Sequence, residues 1–462
     1  MTILNAKRYV VRKFKVRPAP RMRHAFNMSM SLLTVCSALL VSSPATAAGD
    51  GRDQALQSFQ IRRLEATLKA AADGPTREYF NGMAANREGR LWVSIRLLTA
   101  ALPSLRRSSV SRAALALQAL TDDYGKLFEY KKAAASAEEL LASFATELSP
   151  IQRQGVEDDA AVYRILSDTP RQTIGFAGPV ALQTGRNVLG SLEADLSVNG
   201  VGGKWLLDTG ANMSVVTHGF AERLRLQPLP GSARVQALTG VENTMRVAVI
   251  PTLRLGGAIL HHVVVLVLPD KDLNIPYDKE GHRYQINAII GYPVLQALGR
   301  LTFRRDGRLL AGDLASDSHG GVRMYMKGLR PVIECKMAGH SLPFSFDTGA
   351  SRTELLTAYY ERFKSQAPHW QQVEKVSAGA GGAVRKKGFV QRVLKLQVGA
   401  RTATLRDVMI DAADTGVDNA AIYGNLGQDF VSGFDSFTID FRSMRFSLGE
   451  PLGSPWGAPN AR

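Results

Sequence analysis

Apolar and polar positions follow two different periods along the chain, which divides it into a helical front and a β-rich remainder. Between residues 50 and 150, apolar side chains recur at helical spacing among Ala, Leu, Glu, Lys and Arg, which predicts packed helices. From about residue 185, apolar and polar residues alternate in short stretches bounded by Gly and Pro, which predicts strands. Residues 151–184 predict an irregular connector between the two parts, with Pro150 at its border and Pro170 and Pro179 inside it.

The β-rich part contains a long internal repeat with an offset of 139 residues. Half-buried strands are predicted at Ala194–Val198 and Ile333–Met337, followed by glycines at equivalent hairpin turns, Gly200 and Gly339. Short helices are predicted at the same offset further on, over residues 220–224 and 359–363. A repeat of this length indicates a duplicated β-lobe.

The most informative part of the repeat is the tetrapeptide Asp-Thr-Gly-Ala, which begins at Asp208 and again at Asp347. Each copy follows a short apolar strand, over residues 205–207 and 344–346. Two carboxyls that share one proton can perform acid and base chemistry together. The two copies therefore predict a pair of carboxyls, one from each lobe.

Two further segments repeat downstream of each Asp-Thr-Gly-Ala. A glycine-bearing hairpin tip follows about thirty residues later, at residues 235–240 and 376–381. A turn then follows at residues 288–295 and 424–431, and each copy closes with a pair of strands.

These elements, in this order, make residues 185–450 resemble the retropepsin-like aspartic peptidases, in a form that fuses two lobes in one chain. The resemblance implies that Asp208 and Asp347 are catalytic and hold one water between them. It also implies that Thr209 and Thr348 brace the two loops by cross-lobe hydrogen bonds. Gly210 and Gly349 are expected to let the substrate backbone approach closely. The flap residues that would cover a polypeptide substrate are Thr239, Gly240, Gly379, Gly381 and Gly382.

The predicted fold class is multidomain α + β, with a helical module followed by two duplicated all-β acid-protease lobes. The helical segment from Tyr79 to Pro103 resembles a tetratricopeptide helix pair, and a degenerate second unit is expected from Ala113 to Leu141. A plain helical bundle that serves as a spacer or pro-segment is the alternative. The expected boundaries are 1–47 for a signal peptide, 50–150 for the helical module, 151–184 for the connector, 185–314 for the first lobe, 315–321 for a linker, 322–450 for the second lobe and 451–462 for a tail.

The net charge of +16 is concentrated at the amino terminus. Eight basic and no acidic residues lie in residues 1–47, so half of the net charge belongs to that segment. Its basic start, apolar middle and Ala45-Thr46-Ala47 end are typical of a secretory signal peptide. An uncleaved anchor is the alternative. Periplasmic or secreted localisation is therefore expected, with no membrane span after cleavage and no nucleic-acid partner.

Cleavage of that segment would leave Cys335 as the only cysteine, and its strand position predicts a buried structural thiol rather than a nucleophile. No His-Glu-x-x-His or Cys-x-x-Cys spacing occurs, so neither a metal nor a cofactor is expected.

The sequence thus predicts an exported aspartic endopeptidase whose active site needs only one copy of the chain, with a protein partner possible at the helical module. A non-catalytic envelope scaffold that binds peptides between protease-like lobes is the alternative.

Overall fold

The computed structural model describes residues 51–71, 74–236, 242–278, 280–315, 321–379, 382–412 and 421–452. The predicted signal peptide, most of the linker at 315–321 and nearly all of the tail at 451–462 lie outside these residues. Within them, no helix combines the length and the apolar character needed to cross a membrane.

The front of the chain is helical. Its helices are α1 (Gly51–Gln57), α2 (Ile61–Ala71), α3 (Gly74–Arg87), α4 (Leu91–Ser108), α5 (Val110–Lys126), α6 (Tyr130–Phe144) and α7 (Pro150–Ile165). Consecutive helices from α3 to α7 pack against one another, and tetratricopeptide character stays a prediction.

The expectation of an irregular connector over residues 151–184 is wrong, because helix α7 occupies its first half. Pro150 stands in the first turn of α7, where its missing N–H costs nothing. Ser149 caps the helix through a reciprocal capping box with Gln152. The proline that suggested a break is therefore part of a helix start.

The first lobe begins within the same expected connector. Its strands are β1 (Thr173–Phe176), β2 (Val180–Arg186), β3 (Leu192–Val198), β4 (Val201–Leu207), β5 (Ser214–Thr217), β6 (Ala233–Gln236), β7 (Glu242–Leu255), β8 (Ala258–Leu268), β9 (Asn274–Pro276), β10 (Arg283–Gln285), β11 (Ala288–Ile290), β12 (Arg300–Arg304) and β13 (Arg308–Ala311). Two short helices lie among them, α8 (His218–Arg223) and α9 (Tyr292–Ala297).

The second lobe repeats this order. Its strands are β14 (Val322–Lys327), β15 (Arg330–Met337), β16 (His340–Phe346), β17 (Glu354–Leu355), β18 (Gln371–Gly379), β19 (Gly382–Val398), β20 (Arg401–Asp411), β21 (Gly424–Leu426), β22 (Ser436–Asp440) and β23 (Arg445–Leu448). Its short helices are α10 (Thr357–Phe363) and α11 (Gln428–Val431). Strand β16 lies at the sequence offset predicted from β4, which reflects the duplication.

A shared sheet joins the two lobes, with strands in the order β2, β13, β12, β22, β23, β14. Its central pair is antiparallel and places Thr302 opposite Thr438, whose buried hydroxyls lie 2.8 Å apart. Asp440, buried in the same sheet, accepts from Arg300 at 3.0 Å. The lobes are therefore held together by backbone pairing as well as by side chains.

The helical module packs against both lobes. One hydrophobic core combines Tyr130 and Tyr163 of the module with strands of the first lobe. Another combines helices α1–α7 with Tyr325 and Val332 of the second lobe. Arg87 of α3 donates to the carbonyl of Met326 at 3.2 Å. The module is thus part of the core of the whole molecule.

Cys335 is buried and free, as expected of a structural thiol, and burial raises its pKa. Trp205, which precedes the first Asp-Thr-Gly-Ala, is also fully buried in the lobe core.

Candidate active site

The two Asp-Thr-Gly-Ala segments form equivalent loops at the ends of β4 and β16. The N–H of Asp208 donates to the carbonyl of Ile290 at 3.0 Å, and the N–H of Asp347 donates to the carbonyl of Leu426 at the same distance. Each loop is thus anchored to the strand of its own lobe that runs parallel to it, β11 or β21. This local duplication places both aspartates at corresponding positions.

Thr209 and Thr348 cross between the lobes and join the two loops. The N–H of Thr209 donates to Oγ1 of Thr348, and the N–H of Thr348 donates to Oγ1 of Thr209, both at 3.0 Å. The hydroxyl of Thr348 donates to the carbonyl of Leu207 at 2.8 Å, and that of Thr209 donates to the carbonyl of Phe346 at 3.2 Å. Both threonines are fully buried. These four bonds hold the loops against each other without solvent.

Each glycine of the motif makes room for the aspartate of the other lobe. A Cβ atom built on Gly210 would lie 2.6 Å from Cγ of Asp347, and one on Gly349 would overlap the carboxyl of Asp208. The sequence suggested that these glycines leave space for substrate. In the structure the space belongs to the opposite carboxyl, so the glycines are what allow the two acids to meet.

The two carboxyls lie within hydrogen-bonding reach of each other but receive different hydrogen bonds. Oδ1 of Asp208 accepts from the N–H groups of Gly210 and Ala211, at 2.7 and 3.2 Å. Oδ1 of Asp347 accepts from the two equivalent N–H groups, at 2.8 and 3.1 Å. Only Asp347 has a further donor among the described residues, the side-chain amide of Asn425, 3.1 Å from Oδ2.

Burial raises the pKa of both carboxyls. The pKa of Asp208 stands well above its ordinary value because of burial first, then the charge of Asp347 and the hydrogen bond with it. The pKa of Asp347 is also raised by burial, against which the hydrogen bonds from Asp208, Asn425 and the loop N–H groups act. Since two adjacent carboxyls cannot both ionise cheaply, the pair retains one proton over a wide pH range.

The dyad is shielded from solvent in this conformation. Asp208 has no exposed surface, and Asp347 is 3% exposed. A carboxyl pair of this kind can activate a water and protonate a carbonyl oxygen when a substrate lies between the lobes.

The predicted flaps fall on two antiparallel strand pairs, β6 with β7 in the first lobe and β18 with β19 in the second. Gly379 pairs with Gly382 at the end of the second hairpin. Thr239, Gly240 and Gly381 lie outside the described residues.

Several residues around the dyad were missed in the sequence analysis. Asn425 contacts Asp347 and is itself contacted by Ser345. Gln428 donates to the carbonyl of Thr348 at 2.7 Å, and Arg186 of the first lobe donates to Gln428 at 2.9 Å. Ser191 donates to the carbonyl of Gly349 at 2.9 Å.

Comparison of the two repeats could have singled out Asn425, because the first lobe has Ile289 at that position.

Potential metal ligands occur away from the dyad. One ligand atom from each of Asp278, Glu280 and His282 lies within 4.8 Å of the others near the surface. Asp278 and His282 already bond each other at 2.5 Å, and exposed acidic groups of this type are common without an ion.

The comparisons with known proteins give one family match. The family model described as aspartyl protease matches residues 194–294. Among solved structures, a retropepsin-like aspartic protease from Rickettsia conorii is similar, with 17% identity over 30% of this chain and 91% of that chain, at a TM-score of 0.20. That score is too low to support an argument about function. A search of curated proteins finds no match. The residues that match the aspartyl protease model lie in the first lobe, and the second lobe repeats the strand order of the first.

Proposed function

We propose that the chain is an aspartic endopeptidase in which Asp208 and Asp347 activate one water for the hydrolysis of a peptide bond. The observation that carries this proposal is the exchange of hydrogen bonds between Thr209 and Thr348. It brings two buried carboxyls from separate lobes within reach of each other, with glycines shaped to admit them. Since both loops belong to one chain, a monomer supplies the complete dyad.

In the proposed reaction, the pair accepts one proton and donates one proton in each of two steps. In the first step, the oxygen of the water bonds to the peptide carbon and the ionised carboxyl takes a proton from that water. The protonated carboxyl meanwhile donates its proton to the carbonyl oxygen. The resulting diol then collapses: the C–N bond breaks, the nitrogen takes a proton from the dyad, and a diol hydroxyl returns one. The products are a carboxylic acid and an amine, and the dyad again holds one proton.

Burial of the dyad adds a condition to this mechanism. Because neither carboxyl has appreciable exposed surface, a polypeptide reaches them only when the cleft between the lobes opens. Closure over the bound substrate then excludes water, which strengthens the electrostatic interactions of the carboxyls.

The test is a digest of a peptide library by the wild-type chain and by the variants Asp208→Asn and Asp347→Asn. Each substitution is expected to abolish cleavage, by at least about a thousandfold, because neither amide can take the proton that its carboxyl carries. Fold retention is checked by circular dichroism. Wild-type turnover in either variant would contradict the shared dyad.

A peptide-binding scaffold is the second candidate, and the burial of both carboxyls favours it. It predicts library peptides that bind to the wild-type chain without being cut, at any pH between about 3 and 8. Cleaved products that disappear in Asp208→Asn would exclude it.

We also propose that the protein is exported and that the helical module can bind a protein partner. Export is supported by the basic, apolar and small-residue order of residues 1–47. Sequencing of the mature amino terminus from an exporting host would test it, with cleavage after Ala47 expected. The partner proposal rests on the resemblance of residues 79–103 to a tetratricopeptide helix pair.

A further inference from the structure

The two halves of the dyad differ in one hydrogen-bonding position although their loops are duplicated. In the second lobe, β16 and β21 place Ser345 beside Asn425. In the first lobe, β4 and β11 place Leu206 beside Ile289. The strand registers are equivalent, so an amide and a hydroxyl in one lobe stand where the other has two aliphatic side chains.

The hydrogen bonds of Ser345 and Asn425 point toward the dyad. Oγ of Ser345 donates to Oδ1 of Asn425 at 2.7 Å. This bond engages the acceptor end of the amide, so the amino group faces Asp347 and donates to Oδ2 at 3.1 Å. Ser345 is buried. The amide is thus held in one orientation.

A donor at this place favours one charge distribution in the pair. An N–H bond to a carboxylate is stronger than one to a neutral carboxyl, so the amide stabilises the ionised form of Asp347. Among the described residues, no donor apart from the dyad partner reaches Oδ2 of Asp208. Oδ1 of each carboxyl accepts from N–H groups of its own loop, and the Asn425 amide donates to Asp347.

We propose that Asn425, oriented by Ser345, is a positioning residue that holds the negative charge of the dyad on Asp347 and the shared proton on Asp208. Asp347 is then the base that takes the proton of the water, and Asp208 is the acid that donates to the carbonyl oxygen. This assignment of roles rests on the proposed hydrolysis, whereas the position of the charge can be measured without it.

The kinetic test compares the pH dependence of kcat/KM in Asn425→Leu, Ser345→Ala and Ser345→Thr with the wild type. Asn425→Leu removes the donor at nearly constant volume, so the ionised form of the dyad loses a hydrogen bond. The acidic limb of the kcat/KM profile is therefore expected to move up by about one to two pH units. Ser345→Ala frees the amide to turn and should give a smaller shift. Ser345→Thr keeps the hydroxyl and should restore the wild-type limb.

Ile289→Leu is the matched control, since it changes the same strand position of the first lobe without adding or removing a polar group. Its acidic limb is expected to stay in place. An unmoved limb in Asn425→Leu, with cleavage intact, would overturn the role of Asn425 and leave the proposed hydrolase standing.

A second measurement does not depend on turnover. Carbon-13 resonances of the aspartate carboxyls are assigned by their loss in Asp208→Asn and Asp347→Asn and are followed through a pH titration of the wild type. The proposal expects the carboxyl of Asp347 to show the chemical shift of an ionised group while that of Asp208 still shows the chemical shift of a protonated group. In Asn425→Leu, the difference between the two chemical shifts should become smaller. Ionisation of Asp208 first would overturn the proposal. If Asp347 ionises first but the chain cuts no peptide, the position of the charge is supported and the proposed hydrolysis is contradicted.

Discussion

The glycines of the two motifs illustrate how a single missing Cβ atom determines the site. Gly210 lies under the carboxyl of Asp347, and Gly349 lies under that of Asp208. A sequence shows that a position is glycine but not which atom fills the space beside it. Here the space is filled from the other lobe, 139 residues away in the chain.

Gly210→Ala is therefore expected to disable the dyad while the lobes stay folded. The added Cβ would come within 2.6 Å of the Asp347 carboxyl. One carboxyl must therefore move, and the two carboxyls can no longer share a proton. Activity on a library peptide should fall by at least about a hundredfold, since small displacements of reacting groups are costly. Gly175→Ala, at an open position of β1, is the control and should retain activity.

A buried acid in the helical module gives a second prediction at this scale. Asp123 is fully buried and accepts from Asn86 at 2.8 Å. Burial first, and the nearby charge of Asp122 next, raise the pKa of Asp123 from 3.8 to about 7. The folded state therefore binds this proton more tightly than the unfolded chain does. The stabilisation that the proton on Asp123 gives the folded state is fully present below about pH 4 and is lost as the pH rises to about 7.

Asp123→Asn replaces the acid with a neutral group of the same shape. The variant is expected to be more stable than the wild type above pH 7, by at most about 4 kcal/mol, because no buried charge has to form. The gain should shrink toward pH 4. Urea unfolding at pH 4, 6 and 8 measures it, and a gain independent of pH would contradict the raised pKa.

At the scale of elements, the duplication was predictable because each lobe repeats its strands at a constant offset. Strand β4 and its equivalent β16 carry the same pattern, and the glycines that precede them, Gly200 and Gly339, adopt positive φ in the hairpin turns. The sequence does not predict helix α7, because a proline can end a helix as well as occupy its first turn, as Pro150 does. Local patterns define strands well but leave the meaning of a proline open.

The loop pair formed by Thr209 and Thr348 gives a prediction for these elements. Thr348→Val removes the hydroxyl that accepts from the N–H of Thr209 and donates to the carbonyl of Leu207. Leaving a buried N–H without its partner should lower the free energy of unfolding by about 3 kcal/mol and reduce activity. Denaturant unfolding measures the loss.

Thr348→Ser keeps the hydroxyl and is the control. It should be within about 1 kcal/mol of the wild type, because only one buried methyl group is removed. Equal destabilisation by Val and Ser would show that the methyl group, and not the hydrogen bonds, secures the loops.

For the whole molecule, the main feature is that the helical module shares hydrophobic cores with both lobes. Phe59, in the turn between α1 and α2, lies 6.3 Å from the ring of Tyr325 in β14, measured between ring centroids. Arg87 stacks over Phe59 and also bonds the second lobe. Because the three parts share their interiors, unfolding is expected in one cooperative transition.

Phe59→Ala tests this coupling. Loss of the buried ring should cost about 3–5 kcal/mol and lower the melting temperature of the lobes together with that of the helices. Trp92→Ala, at a side chain of the same module with 58% of its surface exposed, should change little. Calorimetry, with near-ultraviolet circular dichroism to follow the lobes, distinguishes the outcomes. A helical transition that leaves the lobes folded would contradict the shared core.

The sequence by itself determined the duplicated lobes, the two Asp-Thr-Gly-Ala loops and the helical front, because periodicity and repetition are written in neighbouring residues. Only the tertiary structure decided which atoms meet: a glycine under the opposite acid, Arg87 on a strand of the second lobe, and Asn425 at one carboxyl of the pair. Such contacts join residues far apart in the chain, and no local pattern encodes the distance between them. The asymmetry of the dyad follows from the same cause, since two copies of one motif acquire different partners when they fold together.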